Sequence, residues 1–445
     1  MKLRVDAWME RLRSSLFFVP MFAVLLAAGL GFATLAADRH LDSTLIDLPI
    51  GFTSTVESAR TLLGVIAGAT ISFASIAFSV SLLIIQLASS QYSPRVVHTL
   101  FRDPFNKRVM ALVVGTFTYC VVVLRSVRSA LEPGGDPVIP NLSVVVAVVL
   151  GIATILAIVA FINHSAHAMD VSEILERIRR ESTDQIRAEW TRADRTRADP
   201  AEDNAQSTDA PAGADSTAIR IDRSGWVQQI DAAAIFACVP AGATVTVETY
   251  AGRYAIERTI LCTLSPAIAD GDIDDVEQGL RAAVSIGPTR TMQQDVSFGL
   301  RQLVDVALKA LSPGINDPTT AQDAIFHAAA VLAELLQHDP PAPLTIEGSR
   351  RLVMAQQPTH DELIGVAFDE VRRAGAGQPA VCVYLLGAID SIIESLEATS
   401  LEARTTELRR QAALVSAGCG RTGLLDEDTD AVHRAYIDKF TRESG

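Results

Sequence analysis

Gly64, Gly68, Ser72, Ser75, Ser79 and Gln86 stand 4, 4, 3, 4 and 7 residues apart in the second long apolar run of the chain. On a helix that spacing lines small and hydroxyl-bearing side chains along one face. Such a face gains little against hydrocarbon, so it belongs against another helix or against water. Helix packing is one reading, since Gly64 and Gly68 make a small-xxx-small pair and serines bond to the carbonyl one turn back. A pore or solute path is the other. The continuation favours the pore: Ser89, Ser90, Gln91, Tyr92 and Ser93 carry polarity past the apolar run. Pro94 then ends the helix and Arg95 adds charge.

A second set of polar residues lies far downstream, in RTMQQDVSFGLRQLVDVALKAL and SPGINDPTTAQD. Arg290, Gln294, Asp295, Arg301, Asp305, Asn316 and Asp317 are candidates to line a ligand cleft around a helix hairpin. Local structure accounts for much of the second string. Pro313 and Gly314 stop one helix, and Asp317 can N-cap the next with Pro318 at its first position. THDEL at Thr359 to Leu363 has capping-box spacing between Thr359 and Glu362. His164, His167 and Asp170 share a helical face, a weak candidate for metal binding or pH sensing. Interfacial histidines leading into a polar segment are the plainer reading. Walker, GxSxG, HExxH and dinucleotide signatures are absent, so no catalytic residue and no cofactor is expected. The cysteines, at 120, 238, 262, 382 and 419, lack CxxC spacing and read as reduced, mostly buried thiols.

These residues need elements to hold them. Of 445 residues, 49% are hydrophobic and 20% charged, against about 25% charged in soluble domains. The apolar excess sits at the front, in runs at about 15–37, 62–88, 109–124 and 142–162. A bilayer core of about 30 Å takes about 20 helical residues. Three runs reach that alone. The third does so as 105–127, with Lys107, Arg108 and Arg125 reaching toward headgroups. No Asp, Glu, Lys or Arg lies within the hydrocarbon portion of a run, which disfavours proton relays and ion-coupled carriers. The first run exceeds a signal peptide's apolar stretch and reads as a retained anchor. Lys2, Arg4, Arg11 and Arg13, then Arg95, Arg102, Lys107 and Arg108, then Arg177, Arg179 and Arg180 mark cytoplasmic segments, placing both termini in the cytoplasm.

The fold expected is a polytopic helical membrane domain of four spans over 1–170, with a cytoplasmic α+β part. Residues 171–218 read as a stalk helix followed by a disordered linker from Ala193 to Ala218. Residues 219–270 read as a small β-containing unit. It holds a strand at Gly225 to Ile230, a helix capped by Asp231, and strands at Thr244 to Tyr250 and Tyr254 to Leu264. Residues 271–445 read as a helical domain with helices near 272–285, 290–311, 318–337, 361–373, 379–398, 401–417 and 427–442, and a strand near 350–355. The run Val381 to Ile389, closed by Asp390, reads as a core helix. Residues 1–170 hold 12 Lys and Arg against 10 Asp and Glu, so the net charge of −14 comes from the rest of the chain. That acidity argues against a nucleic-acid partner.

The serine-rich second run into QYSPR, then FRDP with TFTY and LR, SGWVQQID, and IGPTRTMQQDVSFG into ALSPGINDPTTA together resemble the DUF2254 family of predicted bacterial membrane proteins, a domain of unknown function. The resemblance extends from about Leu62 to Ala321. It implies the spans and the soluble tail but no activity, and the linker is longer than the family pattern needs. The function expected is an oligomeric ion or small-solute channel of the bacterial inner membrane. The second run would line it and the cytoplasmic domain would gate it. The alternative is a membrane-anchored sensor or scaffold whose cytoplasmic domain binds a metabolite or protein. The partners expected are the lipid bilayer and further copies of the chain, with no ligand specified.

Overall fold

The computed structural model describes residues 18–41, 55–91, 104–127, 140–167, 170–196, 216–267 and 273–441. The chain divides into two compact units, one within residues 1–90 and 94–170, the other residues 91–93 and 171–445.

The described helices of unit one are α1 (Phe18–Leu41), α2 (Val56–Gln91), α3 (Pro104–Leu124) and α4 (Asn141–His167). Helix α3 has the most surroundings to satisfy. It packs on α1 and α4, and Val113, Tyr119, Cys120 and Val123 are wholly enclosed. This explains why the third run is the least apolar: half of it faces protein rather than lipid. Helix α2 joins through Ala59, Leu63 and Ala67 at one end and Ala77 at the other. Large side chains such as Phe22, Leu25, Phe78, Leu82, Ile152, Leu156 and Val159 point outward, as a lipid-facing surface requires. Lys107 does not reach outward as expected; it is buried, whereas Arg108 and Arg125 are exposed.

Several polar groups inside this unit are bonded to one another. Asp38, near the end of α1, is buried and caps α4. Its Oδ1 accepts from the Leu142 amide at 2.9 Å, and its Oδ2 from the Ser143 amide at 3.1 Å and the Ser143 hydroxyl at 2.6 Å. The first amides of a helix have no partner within it and carry the positive end of its dipole, so a carboxylate there is favoured twice. The Tyr119 hydroxyl donates to the Ser143 carbonyl at 3.0 Å and shares a bond with Thr34 Oγ1 at 2.9 Å. Thr116 and Thr154 bond across α3 and α4 at 3.0 Å.

Unit two opens with α5 (Val171–Thr196). Its apolar positions Ile174, Leu175, Ile178, Ile186 and Trp190 are buried, and it packs on α8 (Val296–Ala310) and α9 (Pro318–Leu336). The helix expected to be a stalk is thus a packed helix of this unit. It lies so close to α8 that a Cβ on Gly299 would overlap Ser182 Oγ. Helices α10 (His360–Gly375), α11 (Pro379–Glu397), α12 (Thr406–Cys419) and α13 (Asp426–Phe440) complete the bundle, with α6 (Ala232–Cys238) and α7 (Ile273–Ala282) in the β part. Asp231, Asp317 and Thr359 all cap helices through their side chains, and Thr359 with Glu362 forms the full capping box.

The strands are β1 (Thr217–Arg220), β2 (Gly225–Ile230), β3 (Thr244–Val247), β4 (Tyr254–Ala255), β5 (Ile260–Ser265), β6 (Val284–Gly287), β7 (Leu344–Glu347) and β8 (Arg350–Met354). They form two sheets, β1-β5-β3-β8-β7 and β4-β2-β6; among the described residues only the β3–β8 pair is parallel. Val227, Ile235, Phe236, Val245, Leu264, Leu280 and Leu352 share one core.

Several expected boundaries move. The stretch Tyr254 to Leu264 is two strands in different sheets, parted by a turn in which Arg258 has φ 70°. Strand β1 begins inside the expected linker, whose residues 197–215 lie outside the described residues. The helix expected to 285 ends at Ala282, releasing Val284 to β6, and the one expected from 290 starts at Val296.

Among the described residues five helices are long and apolar enough to cross a membrane: α1 to α4 and also α11. The last runs through Asp390 to Glu397, well beyond the apolar run 381–389, so length and composition alone do not separate it from the other four.

Asp38→Ala is expected to lower the stability of the purified protein by about 1–2 kcal/mol, the usual cost of a lost cap. Asp38→Asn, which keeps one acceptor, should cost less. Thermal unfolding in detergent measures both.

Candidate functional site

In unit two the residues with most to satisfy lie in the loop 288–295, between β6 and α8. Asp295 precedes α8 and is only 4% exposed. Arg290 Nε donates to its Oδ2 at 2.8 Å and the Ser297 hydroxyl donates to its Oδ1 at 2.8 Å. Arg290 Nη2 also donates to Ser297 Oγ at 2.9 Å. The guanidinium lies 5.4 Å from the Trp226 ring centroid and 5.0 Å from that of Phe298, both within cation–π range. The flat, weakly hydrated head of arginine suits this place, where lysine would have one point charge to offer.

Burial pushes the Asp295 carboxyl above the usual carboxylate range, against the opposing pull of Arg290, Ser297 and the Phe298 amide. A carboxyl raised in the folded state is a cost to stability at neutral pH, relieved as pH falls.

The backbone around the pair explains how the geometry is held. Gln294 behaves as a strand neighbour to β2: the Ile230 amide donates to its Oε1 at 2.8 Å, and its Nε2 donates to the Ile230 carbonyl at 3.2 Å. Gln228 Nε2 donates to the Thr289 carbonyl at 2.8 Å. From the other side Gly252, at φ 95°, donates its amide to the Val227 carbonyl at 2.8 Å. A Cβ there would overlap the Asp295 carboxylate. Glycine is needed at this position both for its φ and for the close approach.

Beside Asp295 is a small cavity lined by Trp190, Tyr250, Gln294, Asp295, Ser297 and Leu363, among others, with a volume of about 10 Å³. That is room for about one water. The loop is a closed clasp, and the space it leaves suits a bridging water rather than a metabolite.

The seven cleft candidates fall into three groups. Arg290, Gln294 and Asp295 come together. Arg301 and Asp305 form a 3.0 Å pair along α8, and Arg301 also grips both oxygens of Glu370 on α10, at 2.7 and 2.9 Å. Asn316 and Asp317 lie past the far end of α8, whose 15 residues rise about 22 Å. There Asn316 accepts from Gln378, and Asp317 accepts from the Thr320 amide and hydroxyl, which hold its carboxyl below the usual range. Sequence reasoning did not count Trp226, Gly252 or Ser297 among the cleft candidates. Two of them sit in strings already notable, SGWVQQID and QQDVSFG, but only the β2–β6 pairing brings those strings together.

In unit one the stripe of α2 faces away from the core. Gly64, Gly68, Ser72, Ser75, Ser79 and Gln86 are all exposed, and nothing lies within 4 Å of a Cβ added at Gly64 or Gly68. The Ser72 hydroxyl donates to the Gly68 carbonyl at 3.0 Å and that of Ser79 to the Ser75 carbonyl at 2.9 Å. Arg95 lies outside the described residues. His164 is half-buried with its ring 4.6 Å from that of Phe105. Asp170 is exposed, and the His167 side chain is outside the described residues. Among the described residues no three His, Cys, Asp or Glu side chains are grouped to hold a metal.

With both arrangements in view, the sequence profile of the predicted membrane proteins DUF2254 matches residues 13–391. The chain belongs to the DUF2254 family. It is 30% identical over 419 residues to the uncharacterized protein Rv1290c of Mycobacterium tuberculosis and to the uncharacterized protein Mb1321c of Mycobacterium bovis. The match covers 93% of this chain and 77% of each relative. No solved structure matches it. Both the α2 stripe and the Arg290–Asp295 clasp fall inside the part matched by the DUF2254 profile.

Gly252→Ala is expected to destabilise this DUF2254 chain by about 3 kcal/mol, through left-handed strain and displacement of a buried ion pair. Gly242→Ala, also at positive φ but with open space around it, should cost less. Denaturant unfolding of the two variants makes the comparison.

Proposed function

We propose that the protein is an oligomeric channel for ions or small solutes in the bacterial inner membrane, with α2 of each copy facing the axis. The observation that carries this reading is the outward stripe on α2. Its inner face, with Ala59, Leu63, Ala67 and Ala77, is used within the chain, while its small and polar face is left exposed. A lipid-facing surface has no use for that composition, whereas a water-filled axis between copies does. Four spans enclose too little space for a path through one copy. The lack of charge within the apolar portions supports passive movement over ion-coupled transport.

Four spans per copy is part of the proposal. Helix α11 is assigned to the soluble unit because it packs on α9, α10, α12 and α13, and because its Asp390 pairs with Lys439. The bias of short-loop Lys and Arg supports cytoplasmic termini. In this reading unit two lies in the cytoplasm and controls the path, the chain is not an enzyme, and nucleic acid is not a partner.

A second reading, a membrane-anchored sensor or scaffold, is favoured by the serine back-bonding on α2. Hydroxyls that donate to carbonyls on their own helix, as Ser72 and Ser79 do, are content in dry contact with a neighbouring helix.

Purified full-length protein in liposomes decides between the two. The channel reading expects solute or ion flux that Ser75→Leu and Ser79→Leu abolish while the oligomer persists. Absence of flux across ions, small solutes and voltages, with the leucine variants changing only the state of assembly, favours the anchor.

A further inference from the structure

Trp190, near the end of α5, is buried and stacks on His360, the first residue of α10, with ring centroids 5.7 Å apart and planes inclined by 29°. His360 Nε2 lies 3.1 Å from the His338 carbonyl, just past the end of α9. A carbonyl only accepts, so Nε2 carries the hydrogen. Arg404, in a short 3-10 turn (Glu402–Thr405), donates from Nη1 to the same carbonyl at 2.9 Å and to that of Leu336 at 2.6 Å, while its Nη2 bonds Asp339. One oxygen thus serves an imidazole and a guanidinium and holds them side by side.

That sharing is undisturbed while the imidazole is neutral. A proton on Nδ1 would set a second cation beside Arg404, in a half-buried place and at the first position of α10, where the helix dipole is positive. Burial first, and the Arg404 charge second, hold His360 below the ordinary histidine pKa, against the pull of the His338 carbonyl, Asp339 and Asp361. A histidine depressed in this way stabilises the fold while neutral, above about pH 6.5, and loses that contribution as pH falls below it. The remaining charges around α10 have other partners. Glu334 of α9 is shared by Arg187 of α5 and by His338, and Arg410 of α12, which pairs with Glu407, faces Asp361. Arg301 from α8 and Gln411 from α12 bond Glu370 and Asp369, about two and a half turns further along α10. Helix α11 meets α10 at its far end, where Gly375 lies against Val381.

We infer that His360 is a proton-operated latch in unit two: in mildly acidic conditions its imidazolium leaves the place beside Arg404, and Trp190 loses the ring that covers it. Arg404 stays on the His338 carbonyl, so the end of α9 is held in both states. Trp190 also lines the cavity beside Asp295, together with Gln357, Pro358 and Leu363 around the start of α10. Opening the latch therefore widens that cavity and loosens the end of α5. The inference does not depend on whether α2 lines a pore.

The test uses the full-length protein in detergent, titrated from about pH 8 to about pH 5. Emission of Trp190 is the difference between wild type and Trp190→Phe, and its quenching by acrylamide reports exposure. Quenching is expected to rise severalfold through a midpoint below about 6.5 and to return on neutralisation. His360→Gln keeps a donor for the His338 carbonyl but takes up no proton, and should hold quenching low throughout; His338→Gln should leave the transition in place. Protection of wild-type Trp190 down to the lowest pH would overturn the inference. So would a transition that persists in His360→Gln, which assigns it to Asp295 or another group, or one that vanishes in His338→Gln. Where a variant does not fold, the wild type decides alone: hydrogen exchange at imidazole C2, read by mass spectrometry, gives the midpoint of each histidine. A His360 midpoint below about 6.5 is expected, and one at or above it overturns the latch.

Discussion

Hydrocarbon offers no hydrogen-bond partner, and that constraint shapes unit one. Every backbone amide and carbonyl within it has to be bonded by the protein itself, which limits the apolar part of the chain to helices. Several polar side chains then follow the same rule. Ser72 and Ser79 turn back to their own helix, and Thr116 finds Thr154. The amides at the start of α4, which no turn of that helix can satisfy, are met by Asp38 from α1. A carboxylate at the end of an apolar run reads as a boundary charge in sequence. In three dimensions it fixes where two helices meet.

Unit two solves a different problem, since its surface can be wet. Its strands are short, and the pairings that matter join residues far apart in sequence: β3 with β8 in parallel, and β2 with β6 across the helix capped by Asp231. The loop before α8 then has to pass between β2 and the turn at Gly252. The space is so tight that the Asp295 carboxylate meets bare backbone. A carboxylate whose ionisation burial disfavours is retained there, with aromatic rings around its cation. Its cation lies over Trp226 of β2, its carboxylate abuts Gly252, and it bonds Ser297 at the start of α8.

The two polar features of interest are opposite in kind. The α2 stripe is open, its glycines bordered by empty space and its serines satisfied without a partner. The Arg290–Asp295 clasp is closed, with room left for about one water. An open face is finished by something outside the chain, whereas a closed one has its partners already. The proposed function rests on the α2 face, whereas the clasp ties elements of unit two together.

Sequence by itself determined what depends on near neighbours. Apolar runs of membrane-spanning length, the α2 stripe and the caps at Asp231, Asp317 and Thr359 are set by residues within a few turns of one another, and each was legible. Tertiary structure alone decided the rest. The break between β4 and β5 is invisible locally, because Tyr254 to Leu264 reads as one strand until two sheets claim its ends. Strand β7 has four exposed residues and exists through its pairing with β8. The α5 helix looked free-standing until Gly299 allowed α8 to approach Ser182. The stripe on α2 was visible as a line of residues, but its outward direction depends on which face Ala59, Leu63 and Ala67 give to α3 and α4. Local sequence sets which atoms a helix carries along each face; only packing against distant residues sets which face is left over.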